Sequence, residues 1–513
     1  GMKDNFFELG GHSLLAIKII AQIRKKLSIN IPIGGFLNQS SIASITDYVD
    51  SKESNLPLPK VTKVERNGVD QFPLSFAQER MWFLTKLNPN SSAYMIPFLV
   101  RISGPLDEDK FKKAVESVVD RHEILRTIFT QHEGAPKQKV LTKLDNFFEF
   151  ADLSSNQNVD IEKLLGDRVN TKLRESLELE RGPLFKSYLF RLSNKRYAWL
   201  LKFHHISTDG WSMEIFVRDI SAYYSSFLTG TDLTLGKLNL QYVDFSKWQR
   251  SWLSDNKAKE QLNFWHSYLA GYQRTRFPYD NCAANDQLNL AEFYEENLSS
   301  DLVEKINMFS AKQNLSLYVI YLSAFILLLN YYLFQDDIIV GTPVSNRNYS
   351  GVEDLIGLFV NTLAIRIRVR KAETLKEYLN RIRSILLECL SHQDLPFDQI
   401  VDSLGVERAL DQNPIFDVMF GFKSKEATLE LHDSLNLKSE NIRAEKAKLD
   451  LLISVVQRNG HRHEVKVTYN KSRFLPATIE RLVNTYLSVL SNLISNLDIA
   501  VSDVLGLSAS GQY

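Results

Sequence analysis

Two stretches of this chain place reactive residue types at spacings that can do chemistry. The first is Phe203-His204-His205-Ile206-Ser207-Thr208-Asp209-Gly210-Trp211-Ser212. A histidine titrates in the range that proton transfer near neutral pH requires. Adjacent residues of a strand point to opposite faces, so His204 and His205 cannot readily share one ligand, which disfavours a metal held by the pair. One imidazole can face a cleft while the other packs inside. Asp209 can orient an imidazole or enter a buried ion pair, and the Gly210 amide can face a developing oxyanion. The same residues also allow a purely structural His-His-Asp cluster. The second stretch is Asp4-Asn5-Phe6-Phe7-Glu8-Leu9-Gly10-Gly11-His12-Ser13-Leu14-Leu15. Gly10 and Gly11 let the backbone turn tightly into a helix. Ser13 then lies at the helix N-terminus, where free amides and the helix dipole favour a phosphate. A serine there also serves as an ordinary helix cap.

These groups need elements to hold them. The histidine string lies between a strand predicted over Tyr197–Phe203 and a helix predicted over Ser212–Tyr224. Further strands are expected at Ala93–Ile102, Ser187–Leu192, Asp450–Val456 and Glu464–Tyr469. An amphipathic helix is expected over Asp107–His122, with others around Trp248 and Trp265. The most apolar run, Leu317–Phe334, approaches membrane-spanning length. Tyrosines and Asn330 interrupt it and the strand Ile338-Ile339-Val340 follows, so it reads as a buried core helix. Leu363–Arg370 alternates strictly, with Arg366, Arg368 and Arg370 expected on an exposed strand face. His461 and His463 share a strand face without an evident third ligand, and read as a solvated edge rather than a zinc site. Residues 1–50 read as short helices, and Pro57, Pro59 and Asn67-Gly68 mark a linker before the α/β region.

Composition narrows the classes. The 513 residues exceed a single hydrophobic core, which stops growing at roughly 250–300 residues. Lys+Arg and Asp+Glu both total 61. A neutral chain lacks the basic footprint of a nucleic-acid binder and the polybasic surface of a peripheral membrane protein. Cys282 and Cys389 form neither a disulfide framework nor a C-x-x-C metal site, and fit a reducing compartment.

The string from Asp4 to Leu15 resembles the attachment motif of the peptidyl carrier domains of nonribosomal peptide synthetases. The resemblance implies that Ser13 carries a covalent 4′-phosphopantetheine arm, added by a phosphopantetheinyl transferase, whose thiol holds an aminoacyl or peptidyl thioester. Carriers of this family have a helix ahead of the motif. Twelve residues precede Ser13 here, so that first helix is expected to be missing.

The string from Phe203 to Ser212 resembles the HHxxxDG signature of the condensation-domain superfamily, related in fold to chloramphenicol acetyltransferase. Ser75-Phe76-Ala77-Gln78-Glu79-Arg80-Met81-Trp82 is similar to the opening motif, and Arg121-His122-Glu123-Ile124-Leu125-Arg126-Thr127 to the second. Tyr242-Val243-Asp244-Phe245 is similar to the fourth. Ile356–Arg366 and His392-Gln393-Asp394-Leu395-Pro396-Phe397-Asp398 are similar to later ones. In the last motif Asn413-Pro414-Ile415 persists, while Gln412 stands where the family has arginine. By position His205 is the second motif histidine and the catalytic candidate, beside His204. Asp209 is the motif aspartate, implied to be structural and to pair with Arg347 of Gly341-Thr342-Pro343-Val344-Ser345-Asn346-Arg347. Gly210 completes the motif, and no metal is implied.

The resemblances imply an α/β architecture: a small helical-bundle carrier domain over 1–52, a linker over 53–71, and a condensation domain of two chloramphenicol-acetyltransferase-like lobes. Those lobes are expected at 72–250 and 251–507, with 508–513 starting a downstream linker. They imply peptide-bond formation between the donor on Ser13 and an aminoacyl acceptor on a downstream carrier domain. Adenylation domains are implied as neighbours, since no stretch here resembles one, and the cytoplasm as the location. Gly10-Gly11-His12-Ser13, and the second motif, resemble the class joining an L-donor to an L-acceptor. Three other readings compete with this one. An epimerase-type enzyme is disfavoured by Asp209-Gly210-Trp211-Ser212 and Phe359-Val360-Asn361-Thr362. A heterocyclising relative carries aspartate where this motif begins with histidine. A non-catalytic docking platform need not keep His204, His205, Asp209 and Gly210.

Overall fold

A computed structural model describes most of residues 60–504, together with 41–50 and scattered positions before them. Residues 51–59, 281–289, 407–412, 425–429 and 505–513, with shorter breaks elsewhere, lie outside the described residues, as does the string from Asn5 to Leu15 with Ser13. Helix α1 (Ile42–Asp50) belongs to the N-terminal region. The first lobe then runs through β1 (Gln71–Pro73), α2 (Phe76–Leu87), β2 (Met95–Ser103), α3 (Glu108–Arg121), β3 (Thr127–His132), β4 (Ala135–Val140) and β5 (Phe148–Asp152). It continues with α4 (Ile161–Arg174), β6 (Phe185–Ser193), β7 (Arg196–His204), α5 (Gly210–Thr229) and α6 (Tyr242–Trp252). The second lobe holds α7 (Asn256–Leu269), β8 (Ala291–Asn297), α8 (Ser300–Gln313), α9 (Leu317–Leu333), β9 (Asp337–Val344), β10 (Asn361–Arg368) and α10 (Leu375–Ser391). After these come α11 (Phe397–Ser403), β11 (Val418–Ser424), β12 (Asn436–Glu440), β13 (Leu451–Arg458), β14 (Arg462–Asn470) and α12 (Pro476–Ser495).

Each lobe is built on one large sheet. The first has the order β12-β2-β7-β6-β5, the second β10-β9-β11-β13-β14-β8, and a small sheet β1-β4-β3 flanks the first. Two segments from the second half of the chain join the first lobe. Strand β12 pairs antiparallel with β2, from Asn436 opposite Ser103 to Glu440 opposite Leu99. Tyr349, Val352, Leu355, Ile356 and Phe359 pack into the core formed by α3, β7 and α5.

Local sequence explains the elements that matter for the site. Helix α3 starts at Asp107, whose carboxylate accepts the Lys110 amide, and buries Phe111, Ala114, Val115, Val118 and Val119. That i, i+3, i+4, i+7, i+8 pattern is one helical face. Strand β7 is buried from Tyr197 to His204 without alternation. It is flanked by β2 and β6, and helices cover both of its faces: Trp199, Leu201 and Phe203 meet α3 and α5, while Ala198 and Leu200 meet α4. A strand buried on both faces reads as a continuous apolar run. In α9 every residue from Val319 to Asn330 is buried. Among the described residues no single helix is long and apolar enough to cross a membrane. The pair α8 and α9 together has the length and composition, but is bent by 110°.

Two expectations are corrected. Arg366 was expected on an exposed strand face, and it is 6% exposed. Its guanidinium pairs with Asp337 and donates to the carbonyls of Tyr268, Ala270 and Gly271. The chain leaving α7 crosses that face, and strand alternation cannot reveal what covers a strand from another part of the chain. Arg368 remains exposed. His463 was expected at a solvated edge, and it is fully buried; His461 lies outside the described residues. Strand β14 is internal because β8 adds outside it, and the His463 Nδ1 meets the Tyr321 hydroxyl of α9.

Burial pushes the His463 imidazole down to about 4 from 6.5, and its Nε2 has no hydrogen-bond partner among the described residues. The folded state therefore favours the neutral ring. The stability it contributes is fully present above pH 6.5 and is lost as pH falls from there through about 4. His463→Gln should make the loss of urea stability between about pH 7.5 and about pH 4.5 smaller by about 2–3 kcal/mol. Equal losses in both proteins would show that another group dominates.

Candidate active site

The site forms where β7 ends. His204 is its last residue, His205–Ser207 make one 3₁₀ turn, and Asp209 caps helix α5. His204 is fully buried. Its Nδ1 accepts the Ile206 amide at 3.2 Å, which leaves Nε2 as the protonated nitrogen of a neutral ring. That Nε2 meets the Thr85 hydroxyl of α2 at 3.4 Å, and Thr85 donates onward to the Met81 carbonyl at 2.8 Å. His205 is half-buried and has the opposite tautomer. Its Nδ1 lies 3.0 Å from the Thr208 carbonyl oxygen. A carbonyl only accepts, so Nδ1 carries the proton and Nε2 is the basic nitrogen.

The turn is braced from below. Asp209 is 3% exposed and Arg347 is 0% exposed. One Asp209 oxygen accepts the Ser212 amide at 2.8 Å, the Ser212 hydroxyl at 2.7 Å and Arg347 Nη2 at 3.1 Å. The other accepts the Phe359 amide at 3.0 Å. Arg347 also donates to the carbonyls of Val352 and Leu355 at 2.9 and 2.6 Å and to the Ser212 hydroxyl at 2.9 Å. Its guanidinium lies 4.0 Å from the centre of the Phe359 ring. Burial lowers the Arg347 pKa, and Asp209 opposes that shift. A guanidinium nevertheless keeps its charge, so the pair is a desolvated ion pair held on both sides by further hydrogen bonds, with the Arg347 Nε left without one among the described residues.

The segment 352–359 is locked in turn. The Gly357 amide donates to the Ser212 oxygen at 3.1 Å. A Cβ on Gly357 would lie 1.9 Å from the Tyr242 ring, so only glycine fits beneath it. Tyr242 is fully buried, and burial pushes its phenol well up, so it stays protonated. It donates to the Leu358 carbonyl at 2.5 Å and meets the Ser75 hydroxyl at 2.8 Å.

His204, His205, Asp209 and Gly210 thus share one strand-to-helix junction, and the fold brings Arg347 to it across 138 positions. Gly210 is exposed at the first position of α5, and beyond its chain neighbours and its own helix backbone no atom of the described residues lies within 4 Å of where its Cβ would sit. Sequence reasoning missed Thr85, Ser212, Gly357 and the Phe359 amide. Ser212, Gly357 and Phe359 fall inside the quoted strings, but Thr85 carries no sequence signal. Among the described residues no three His, Cys, Asp or Glu side chains converge as metal ligands.

Residues 69–512 match the condensation-domain family, and residues 2–49 match the phosphopantetheine attachment site family. A linear gramicidin synthase of Brevibacillus parabrevis is 33% identical over 503 residues, covering 96% of this chain and 10% of its own length. Surfactin synthase subunit 1 of Bacillus subtilis (strain 168) is 29% identical over 513 residues, covering 98% of this chain and 14% of its own length. The chain therefore spans about a tenth of the length of curated relatives it matches. In fold it is similar to the X-domain from teicoplanin biosynthesis, with a TM-score of 0.76 at 23% identity over 87% of this chain and 99% of that one.

Proposed function

This chain belongs to the condensation-domain family of nonribosomal peptide synthetases, with a phosphopantetheine attachment region ahead of the condensation domain, and we propose that it joins two carrier-bound aminoacyl groups through His205. The carrier would occupy 1–52 and the two lobes 72–250 and 251–507, except that 349–359 and β12 pack with the first lobe. Ser13 offers the hydroxyl that a phosphodiester link to 4′-phosphopantetheine needs. That arm, when attached, supplies the thiol on which the donor is held as a thioester.

The acceptor amine attacks the donor carbonyl. A C–N bond would replace the C–S bond of the donor, and the proton that His205 removes would end on the departing sulfur. His205 takes the amine proton at Nε2. The observation that supports this role is the bond from Nδ1–H to the Thr208 carbonyl, 3.0 Å long, because it holds the proton on the other nitrogen and aims the ring. His204, Asp209 and Arg347 hold the turn, and Gly210 leaves room at the start of α5. The donor and acceptor are L-residues, the acceptor arrives on a downstream carrier domain, adenylation domains load both carriers, a phosphopantetheinyl transferase modifies Ser13, and the reaction runs in the cytoplasm.

Loading Ser13 with a pantetheine-linked L-aminoacyl group and adding a loaded acceptor carrier tests the reading by intact-protein mass. Dipeptide should appear on the acceptor, and Ser13→Ala should take up no arm and give no dipeptide. Racemised donor without transfer, or a mass gain retained in Ser13→Ala, would overturn it.

A further inference from the structure

We infer that helix α2 links the spacing of the two lobes to the histidine pair, and that Arg80 is the positioning residue at the lobe contact. The inference rests on the role proposed for His205. Helix α2 is fixed in the first lobe at its start. Ser75 and Gln78 form a capping box, Ser75 meets Tyr242, the Phe76 amide donates to Gln249 at 3.1 Å, and Arg250 lies 4.0 Å from the centre of the Phe76 ring. Near its end, Thr85 meets His204 Nε2. Between these points Arg80 reaches the second lobe. Its Nε lies 3.4 Å from an Asp398 carboxylate oxygen, and its guanidinium lies 5.8 Å from the centre of the Phe397 ring.

The receiving end is firm. Phe397 and Ile400 of α11 sit in the large core of the second lobe. The Phe397 amide donates to the Asn361 side chain at 3.1 Å, and that side chain donates to the carbonyls of Gln393 and Leu395, both at 2.8 Å. Arg80 and Thr85 are five residues apart on one helix, about 7.5 Å along its axis. A helix is stiff over that length, so a shift at Arg80 moves the Thr85 hydroxyl against His204 and the turn that carries His205.

The contact is a bias rather than a lock. The side chains of Arg80 and Asp398 are 36% and 22% exposed, and solvent and salt screen such a pair. Together with the ring contact, it should shift the ratio of closed to open lobes by about 5–30-fold. Arg80 touches the other lobe and not the reacting atoms, so its loss should lower kcat by up to that factor and leave KM for the acceptor carrier nearly unchanged.

The experiment uses the full chain with Ser13 loaded and spin labels at Lys143→Cys and Lys305→Cys, both exposed and one on each lobe. Pulsed electron–electron spectroscopy should give a longer or broader inter-lobe distance in Arg80→Ala, with the kcat loss above. Arg80→Lys, which keeps the charge, should recover part of both and serves if the alanine variant fails to fold. Arg80→Asp with Asp398→Arg should recover more than either single change. An unchanged distance distribution in Arg80→Ala, or a double swap no better than its singles, would overturn the inference. His205→Ala separates the two readings. It should slow transfer by about 10²–10⁴-fold without moving the distance distribution, and normal transfer in it would sink the role of His205 while leaving the distance result to be judged alone.

Discussion

His205→Ala should slow dipeptide formation on the acceptor carrier by about 10²–10⁴-fold, the usual contribution of a positioned acid–base group. The rate is read from intact-protein mass in a single turnover with Ser13 preloaded. The fold should survive, because His205 is half-buried and its bond to the Thr208 carbonyl lies within its own turn. His205→Gln distinguishes proton transfer from mere orientation. Its amide can donate to Thr208 but has no basic nitrogen, so it should be nearly as slow as alanine. A glutamine variant close to the unmodified rate would reduce His205 to a positioning role. A fast alanine variant would remove it from the mechanism.

Arg347→Ala should cost about 3–5 kcal/mol of folding stability, the penalty for stranding one partner of a buried ion pair. The substitution leaves the Asp209 carboxylate buried, and strips the Val352 and Leu355 carbonyls and the Ser212 hydroxyl of a donor. Arg347→Lys should recover little, since an ammonium cannot reproduce a planar fork that reaches four acceptors. Urea unfolding of the full chain provides the measurement. Asp209→Ala combined with Arg347→Ala should cost less than the sum of the two single changes, by about 1–3 kcal/mol. Additive losses would mean the two side chains act independently.

The histidine junction was legible because it is local. His204, His205, Asp209 and Gly210 lie within seven positions, between an apolar run that reads as a strand and a periodic run that reads as a helix. The elements around it were also readable: α3 from its 3.6-residue periodicity, and α9 from an apolar run too polar in detail for a membrane. The errors share one cause. Arg366 is covered by the chain leaving α7, and His463 by an added strand and the Tyr321 hydroxyl. Periodicity reports which face a residue is on and is blind to what a distant segment lays against that face.

From its own letters the chain determined the residue types of the site: a histidine pair, an aspartate close after it, and an arginine far along the chain, each recognisable by its neighbours in the sequence. The folded chain decided how they act. Its local 3₁₀ turn presents a backbone amide to the His204 Nδ1 and a carbonyl to the His205 Nδ1. Tertiary structure places the Thr85 hydroxyl against the His204 Nε2. It sent 349–359 and β12 back into the first lobe, which buries Arg347 beneath Asp209 and puts the Phe359 amide on its carboxylate. It also set Arg80 of α2 against Phe397 and Asp398 of the second lobe. The strength of an ion pair depends on atoms a few ångströms away in space, and here Arg347 and the Phe359 amide lie far from Asp209 in sequence.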